Sequence, residues 1–302
     1  LTSPEHASYK IQNNGFWIQT KKGKAMKQTF LVAVLFALAL VGPSAAQNTE
    51  PRVAPPSELV EKGTLTYGTA ASFPPFEYKD PGTGNVTGFD IEMIETLAGY
   101  MGLKTDILDI DFDGLVPALR GGRIDVINSA MYIKPEREEQ IDFVRYMVIG
   151  EAIVVPQGNP KNISTLPDDL SGLNVAVTRG AIGERYMVDF NKQLEAKGMK
   201  PMSIMTFPTN QDALLAVHSG RADAFDTSIP GAAYLNKERP GEFQVAATFD
   251  LGTQIGIGTR KGDEDMQRAL NEAMKIFVEE GEYERLLQKY NLPAEVNYFA
   301  KK

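Results

Sequence analysis

Arg137 is the side chain in this sequence best suited to grip an anion. It sits at the start of a helix, in the charged segment Lys134-Pro135-Glu136-Arg137, after Asn128-Ser129-Ala130-Met131-Tyr132. A planar guanidinium meets a carboxylate with two parallel hydrogen bonds, so arginine is the natural anchor for a small acid. Its neighbours Glu136, Glu138 and Glu139 also suit a solvated charged face, and the residues alone leave both readings open. Two stiff loops could supply walls. Phe73-Pro74-Pro75-Phe76-Glu77 holds aromatics on a proline-fixed backbone, and Asp111-Phe112-Asp113-Gly114 holds another. Both follow strands, at the edge where open α/β sheets take ligands; either ring could instead plug a core. Thr178-Arg179-Gly180-Ala181-Ile182-Gly183 ends a strand and opens a helix. Backbone N–H groups there suit an anion, but the lysine and hydroxyl of a phosphate loop are missing, and a plain tight turn fits equally.

Other chemistries find no residues. There is no serine–histidine–acid set, no Gly-x-Ser-x-Gly elbow and no HExxH, so no catalytic residue is assigned. The only histidines are His6 and His218, and cysteine is absent. Disulfides, thiolate metal sites, a cysteine nucleophile and a lipid-bearing terminal cysteine are thereby excluded. Neither a metal nor a cofactor is expected. Five lysines against Glu5 give the first 46 residues a net +4, which leaves −12 for the rest of the formal −8. Such an acidic body repels phosphate backbones, so no nucleic-acid partner is expected.

The amino-terminal region reads as an export signal. A basic run, Lys21 to Lys27, precedes the apolar Phe30 to Val41, then Gly42-Pro43 and the small residues Ser44-Ala45-Ala46. This is the tripartite pattern of a signal peptide, and the apolar run is shorter than the roughly 20 residues of a membrane span. Residues 1–25 are expected to be an upstream leader, 26–46 the signal peptide cleaved near Ala46-Gln47, and 47–58 a linker. The mature protein is expected to be exported without a lipid anchor.

Beyond the linker, apolar runs alternate with helical patterns, as in βα units around a mostly parallel sheet. Strands are expected at Leu65–Tyr67, Ile124–Asn128, Ala152–Val155, Asn174–Thr178 and Ile204–Phe207. Helices are expected at Asp90–Met101, Glu184–Phe190, Asn210–Ser219, Ser228–Leu235, Glu264–Glu280 and Tyr283–Tyr290. One stretch recurs: Ala118-Leu119-Arg120-Gly121-Gly122-Arg123-Ile124-Asp125-Val126 parallels Ala216-Val217-His218-Ser219-Gly220-Arg221-Ala222-Asp223-Ala224. Each copy reads as a helix end, a left-handed glycine cap and a buried strand, which suits two similar lobes.

Taken in order, seven segments resemble the family 3 extracellular solute-binding proteins, the polar amino-acid receptors of ABC importers. They are Phe73 to Tyr78, Gly88 to Glu92, Asp111 to Leu119, Ile133 to Arg137, Ile141 to Phe143, Gly220 to Ala224 and Gly281 to Tyr290. The resemblance implies an α/β, two-lobed periplasmic-binding-protein clamp, a venus flytrap with two hinge strands and a mostly parallel, helix-flanked sheet in each lobe. Lobe 1 would comprise residues 59–147 plus 255–302, and lobe 2 residues 148–254 with the hinges. It further implies a monomer in the periplasm that delivers an amino acid or related small carboxylate to a membrane permease. Carried onto this chain, Phe73 and Phe112 are the pocket aromatics and Arg137 holds the carboxylate beside Ser129, Ala130 and Tyr132. Thr178, Gly180, Ala181 and Ile182 make the second-lobe contacts.

Several positions depart from the family pattern. Its acid for the α-ammonium group falls on Ser228, and another common acid falls on Ala70. Its hydroxyls fall on Tyr132, Ala181 and Ile182. A buried ammonium without an acceptor costs several kcal/mol, roughly. Asp226 could substitute, but strand alternation leaves its direction open. These departures favour a carboxylate whose amine is cyclic, apolar in setting or differently placed. The alternative is a dehydratase-like periplasmic enzyme on the same fold, with Glu184 or Asp226 as the acid or base.

Overall fold

A computed structural model describes residues 50–300. The upstream leader, the signal peptide and its cleavage point lie outside the described residues. In chain order the strands are β1 (Thr64–Thr69), β2 (Ser72–Phe73), β3 (Glu77–Lys79), β4 (Val86–Thr87), β5 (Lys104–Asp109), β6 (Val126–Tyr132), β7 (Ile141–Pro156), β8 (Asn174–Thr178), β9 (Ser203–Phe207), β10 (Ala224–Ser228) and β11 (Phe243–Arg260). The helices are α1 (Phe89–Tyr100), α2 (Leu115–Arg120), α3 (Pro135–Glu138), α4 (Ile182–Ala196), α5 (Asn210–His218), α6 (Ile229–Glu238), α7 (Glu264–Glu279) and α8 (Glu282–Lys289).

Eight strands form one sheet in the order β5-β1-β6-β11-β7-β10-β8-β9. At one end β1 runs parallel to both β5 and β6; at the other β8 runs parallel to β9 and β10. Between them lie the two longest strands, β7 with 16 residues and β11 with 18. They pair antiparallel from Arg260↔Ile141 to Phe243↔Pro156, with register breaks on the way. β11 also pairs with β6, and β7 with β10. The long pair therefore joins two parallel half-sheets, each with its own core. Leu97, Tyr146, Leu270 and Phe277 belong to one core, and Ala176, Val217 and Phe225 to another on the far side. This is the expected two-lobed α/β clamp with two hinge strands.

Periodicity explains the helices. Met266, Ala269, Leu270, Ala273, Met274 and Phe277 fall on one face of α7, and all are buried. β6 is buried at all seven positions, as a strand covered on both faces must be. It begins two residues later than its sequence suggests. The repeated junction is one structure used twice. Gly122 and Gly220 take φ of 70° and 73°, where glycine escapes the steric cost of a Cβ. Three residues on, the Asp125 N–H donates to Thr66 O (2.7 Å) and its carboxylate accepts from Thr66 N (2.9 Å). Asp223 does the same with Asn174, at 2.7 and 2.8 Å. Each aspartate locks its strand start to the first strand of its lobe.

Candidate functional site

A cleft opens where the two half-sheets meet. From the β1–β6 side it is lined by Phe73, Phe112, Ala130 and Tyr132, and from the β8–β10 side by Thr178, Ala181, Ile182, Asp226 and Ser228. All nine are positions assigned from sequence. Ser129, Arg137 and Gly180, also assigned, stand just behind the lining. Ala70, Ser72, Glu77, Glu151, Gly183, Asn210 and Thr227 complete the wall.

The first-lobe wall rests on a buried polar network. Ala130 sits at φ 38°, a left-handed conformation that costs about 1–3 kcal/mol for a residue with a Cβ. Asp90 holds it there: its Oδ2 accepts from Ala130 N (2.7 Å) and from the Tyr146 hydroxyl (2.6 Å). Burial pushes the Asp90 carboxyl up to about 6 despite those two donors. Ser129 donates to Glu77 Oε1 (2.9 Å) and accepts from Ala70 N (3.0 Å), so its hydroxyl is used in positioning the wall. Burial, with the Asp90 charge added, holds Glu77 well above the carboxylate range.

Arg137, on α3, spans the lobes. Its Nη1 donates to Tyr132 O (2.8 Å) and its Nη2 to Gly180 O across the cleft (3.0 Å). The guanidinium carbon lies 5.4 Å from the centre of the Phe112 ring. Desolvation lowers its pKa to about 10, against the opposing pull of Glu136 and Tyr132. The cation persists at neutral pH.

A second arginine crosses beside it. Arg179 Nε meets Asp113 Oδ2 at 2.8 Å and Nη2 meets Asp111 Oδ2 at 3.1 Å. Gly180 (φ 72°) packs so close that a Cβ there would fall 2.8 Å from Asp113 Cβ. Its N–H donates to Glu184 Oε2 (2.7 Å), which occupies Glu184 in closing the turn.

The deepest part of the cleft is acidic. Glu151 on β7 is 2% exposed and Asp226 on β10 is 6% exposed. Burial pushes Glu151 up to about 7, while contacts with Tyr132 and Asp226 pull it back. Burial first, then the Glu151 charge, raise Asp226 well above its ordinary value. Among the described residues, Tyr132 Oη, Glu151 Oε1, Thr178 Oγ1, Asp226 Oδ1 and Glu77 Oε2 are buried without a hydrogen-bond partner. Buried polar groups are normally paired, so five unpaired oxygens around one cleft mark a surface built for a polar guest. The open question over Asp226 is answered: it faces the cleft. Glu151 was missed, although an acid inside the apolar run Ile149 to Val155 was a signal worth reading.

A two-lobed clamp with a polar guest cleft between its lobes defines a ligand-capturing receptor. The family model for bacterial extracellular solute-binding proteins, family 3, matches residues 65–293. This chain belongs to that family. It is 29% identical to the arginine-binding protein ArgT of Corynebacterium glutamicum over 238 residues, 78% of this chain and 77% of that protein. It is 27% identical to the L-cystine-binding protein TcyJ of Escherichia coli K12, over 78% of this chain and 85% of the other. Among solved structures, an ancestral arginine-binding protein bound to arginine superposes with a TM-score of 0.70 at 33% identity, covering 76% of this chain and 98% of that one. The ancestral amino acid-binding protein AncCDT-1, a precursor of cyclohexadienyl dehydratase, gives 0.66 at 35%, covering 76% and 95%. The chain is thus a substrate-binding protein of the amino-acid type, and a small molecule is its ligand.

Proposed function

We propose that this protein captures an amino acid or closely related carboxylate between residues 59–147 plus 255–302 on one side and 148–254 on the other, and presents it as a monomer to the permease of an ABC importer. In this reading it is exported through a signal peptide cleaved near Ala46-Gln47, works free in the periplasm and catalyses nothing. One observation carries the reading: a single cleft has an arginine spanning the lobes at its rim and unpaired carboxyl oxygens at its floor. That is the polarity of an amino acid. Arginine carries five N–H donors; two of Arg137's are committed to backbone, and the others suit a carboxylate. Asp226 and Glu151 take the amine in place of the absent acid at Ser228. The relatives that bind arginine or L-cystine support the class of ligand.

A thermal-shift screen over amino acids, opines, ectoine-like compounds and aromatic acids tests this. A ligand at a hundred times Kd adds about 2.7 kcal/mol of stability, a shift of several degrees. Arg137→Ala should abolish it; a full shift in that variant would refute the carboxylate assignment.

A second reading has one observation in its favour: a proton-bearing carboxyl in a cleft is what a dehydratase needs, and AncCDT-1 is a precursor of one. Incubation with cyclic carboxylates separates the two, since only an enzyme returns product.

A further inference from the structure

Two carboxyl groups far apart in sequence meet at the floor of the cleft. In the antiparallel pairing of β7 with β10, Glu151 stands across from Ser228 and Asp226 across from Ile153. Residues two apart on a strand share a face, so Asp226, Ser228 and Glu151 present to the same side. That side is the cleft, which all three line. The register makes the two carboxyls diagonal neighbours on adjacent strands, where the charge of Glu151 bears on Asp226. Ionised carboxylates only accept hydrogen bonds, so such a pair can bond together only with a proton on one of them.

Their surroundings enforce this. Tyr132 faces Glu151 from β6, Asp250 from β11 and Lys134 from the segment before α3. Lys134 is itself engaged by Asp250 (3.3 Å) and Thr253 (3.1 Å), and Asp250 also accepts from Tyr186 of α4. Arg137 is turned to Tyr132 O and Gly180 O. Asp226 meets Gly183 at the start of α4. Among the described residues, the lysine that faces the pair is thus already matched by Asp250, and two adjacent buried carboxylates cannot both ionise cheaply.

We propose that Glu151 and Asp226 hold one proton between them while the cleft carries no ligand, and surrender it to solvent when a cationic group of the ligand takes its place. The exchange balances. The protonated pair carries −1; stripped of its proton it carries −2, and the ligand's +1 restores −1. The only bond broken is the carboxyl O–H, and water accepts the proton. Capture is therefore linked to pH near neutrality, so an acidic periplasm would weaken it. This rests on the amino-acid reading above for the identity of the cation, but the proton on the pair does not.

The test has two arms. Carbon-detected NMR of Glu and Asp carboxyls in the ligand-free protein, between about pH 5 and 8, should show two linked titrations with one near neutral, both altered by Glu151→Gln and by Asp226→Asn. Calorimetry with L-arginine at about pH 6, in two buffers of different ionisation heat, should read about one proton released per molecule bound. Affinity should fall about tenfold per pH unit below the pair's titration. Glu151→Gln should release none. Both carboxyls ionised throughout, or L-arginine bound without proton release, overturns the proposal. If L-arginine produces no heat, it is not the ligand, and the NMR titration decides the pair by itself.

Discussion

A β-carbon placed on Gly183 would lie 1.7 Å from Oδ2 of Asp226. The first turn of α4 and the acid of β10 can therefore approach only because residue 183 has no side chain, and the glycine serves the acid rather than the turn. Gly183→Ala should push the carboxylate aside and weaken ligand affinity about tenfold, or about 1.4 kcal/mol. Ligand-free stability should hold, because alanine is the better helix former by about 0.5–1 kcal/mol. Calorimetry and melting curves check both, and undiminished affinity contradicts the placement of Asp226.

The buried acids of the cleft and of the network behind its wall set the pH dependence of the unliganded fold. Asp90 is raised to about 6 and Glu151 to about 7, mainly by burial, with Glu77 and Asp226 raised as well. A carboxyl raised on folding stabilises below its unfolded pKa and loses that contribution as pH climbs through the folded value, about 1.4 kcal/mol per unit of difference. Asp265 runs the other way: the Ser57 N–H and Arg268 hold it down to about 2, so its contribution disappears only in strong acid. The melting temperature should thus fall by several degrees between about pH 5 and pH 7.5. A flat or rising profile would count against the buried acids.

Arg179 clasps Asp111 and Asp113 across the mouth of the cleft with all three side chains well exposed. Exposed ion pairs contribute about 0–1 kcal/mol and are screened by salt. Arg179→Ala should weaken binding no more than about fivefold and remove part of its salt dependence. A loss of a hundredfold would show that Arg179 grips the ligand itself.

The twin aspartates differ in depth. Asp125 is fully buried and accepts from Val60 N (2.8 Å) as well as Thr66 N (2.9 Å). Asp223 accepts from Asn174 N (2.8 Å) and meets exposed Lys161 (3.3 Å). Asp125→Ala should cost about 2–3 kcal/mol by leaving buried donors unpaired, and Asp223→Ala about 1 kcal/mol. Denaturant melts of the two variants give the order directly.

Local patterns carried much of this structure in the sequence. The αβ alternation, the doubled glycine–aspartate junction and the aromatic loops were legible because each is decided within a dozen residues. β11 was not, since its strand is broken by register shifts and by Gly252, Gly256 and Gly258, which erase the alternation. Glu151 and Asp226 were harder still: their meeting depends on the register of β7 against β10, which only the folded sheet decides. Arg179 looked like part of a turn because its partners lie on the opposite lobe.

The most direct measurement is a crystal structure with the best ligand of the screen. The expected complex has a carboxylate within hydrogen-bonding distance of Arg137, an amine beside Asp226 and Glu151, and both lobes in contact with the molecule. A guanidinium turned to bulk water, or a bound molecule with no acid group, would contradict it.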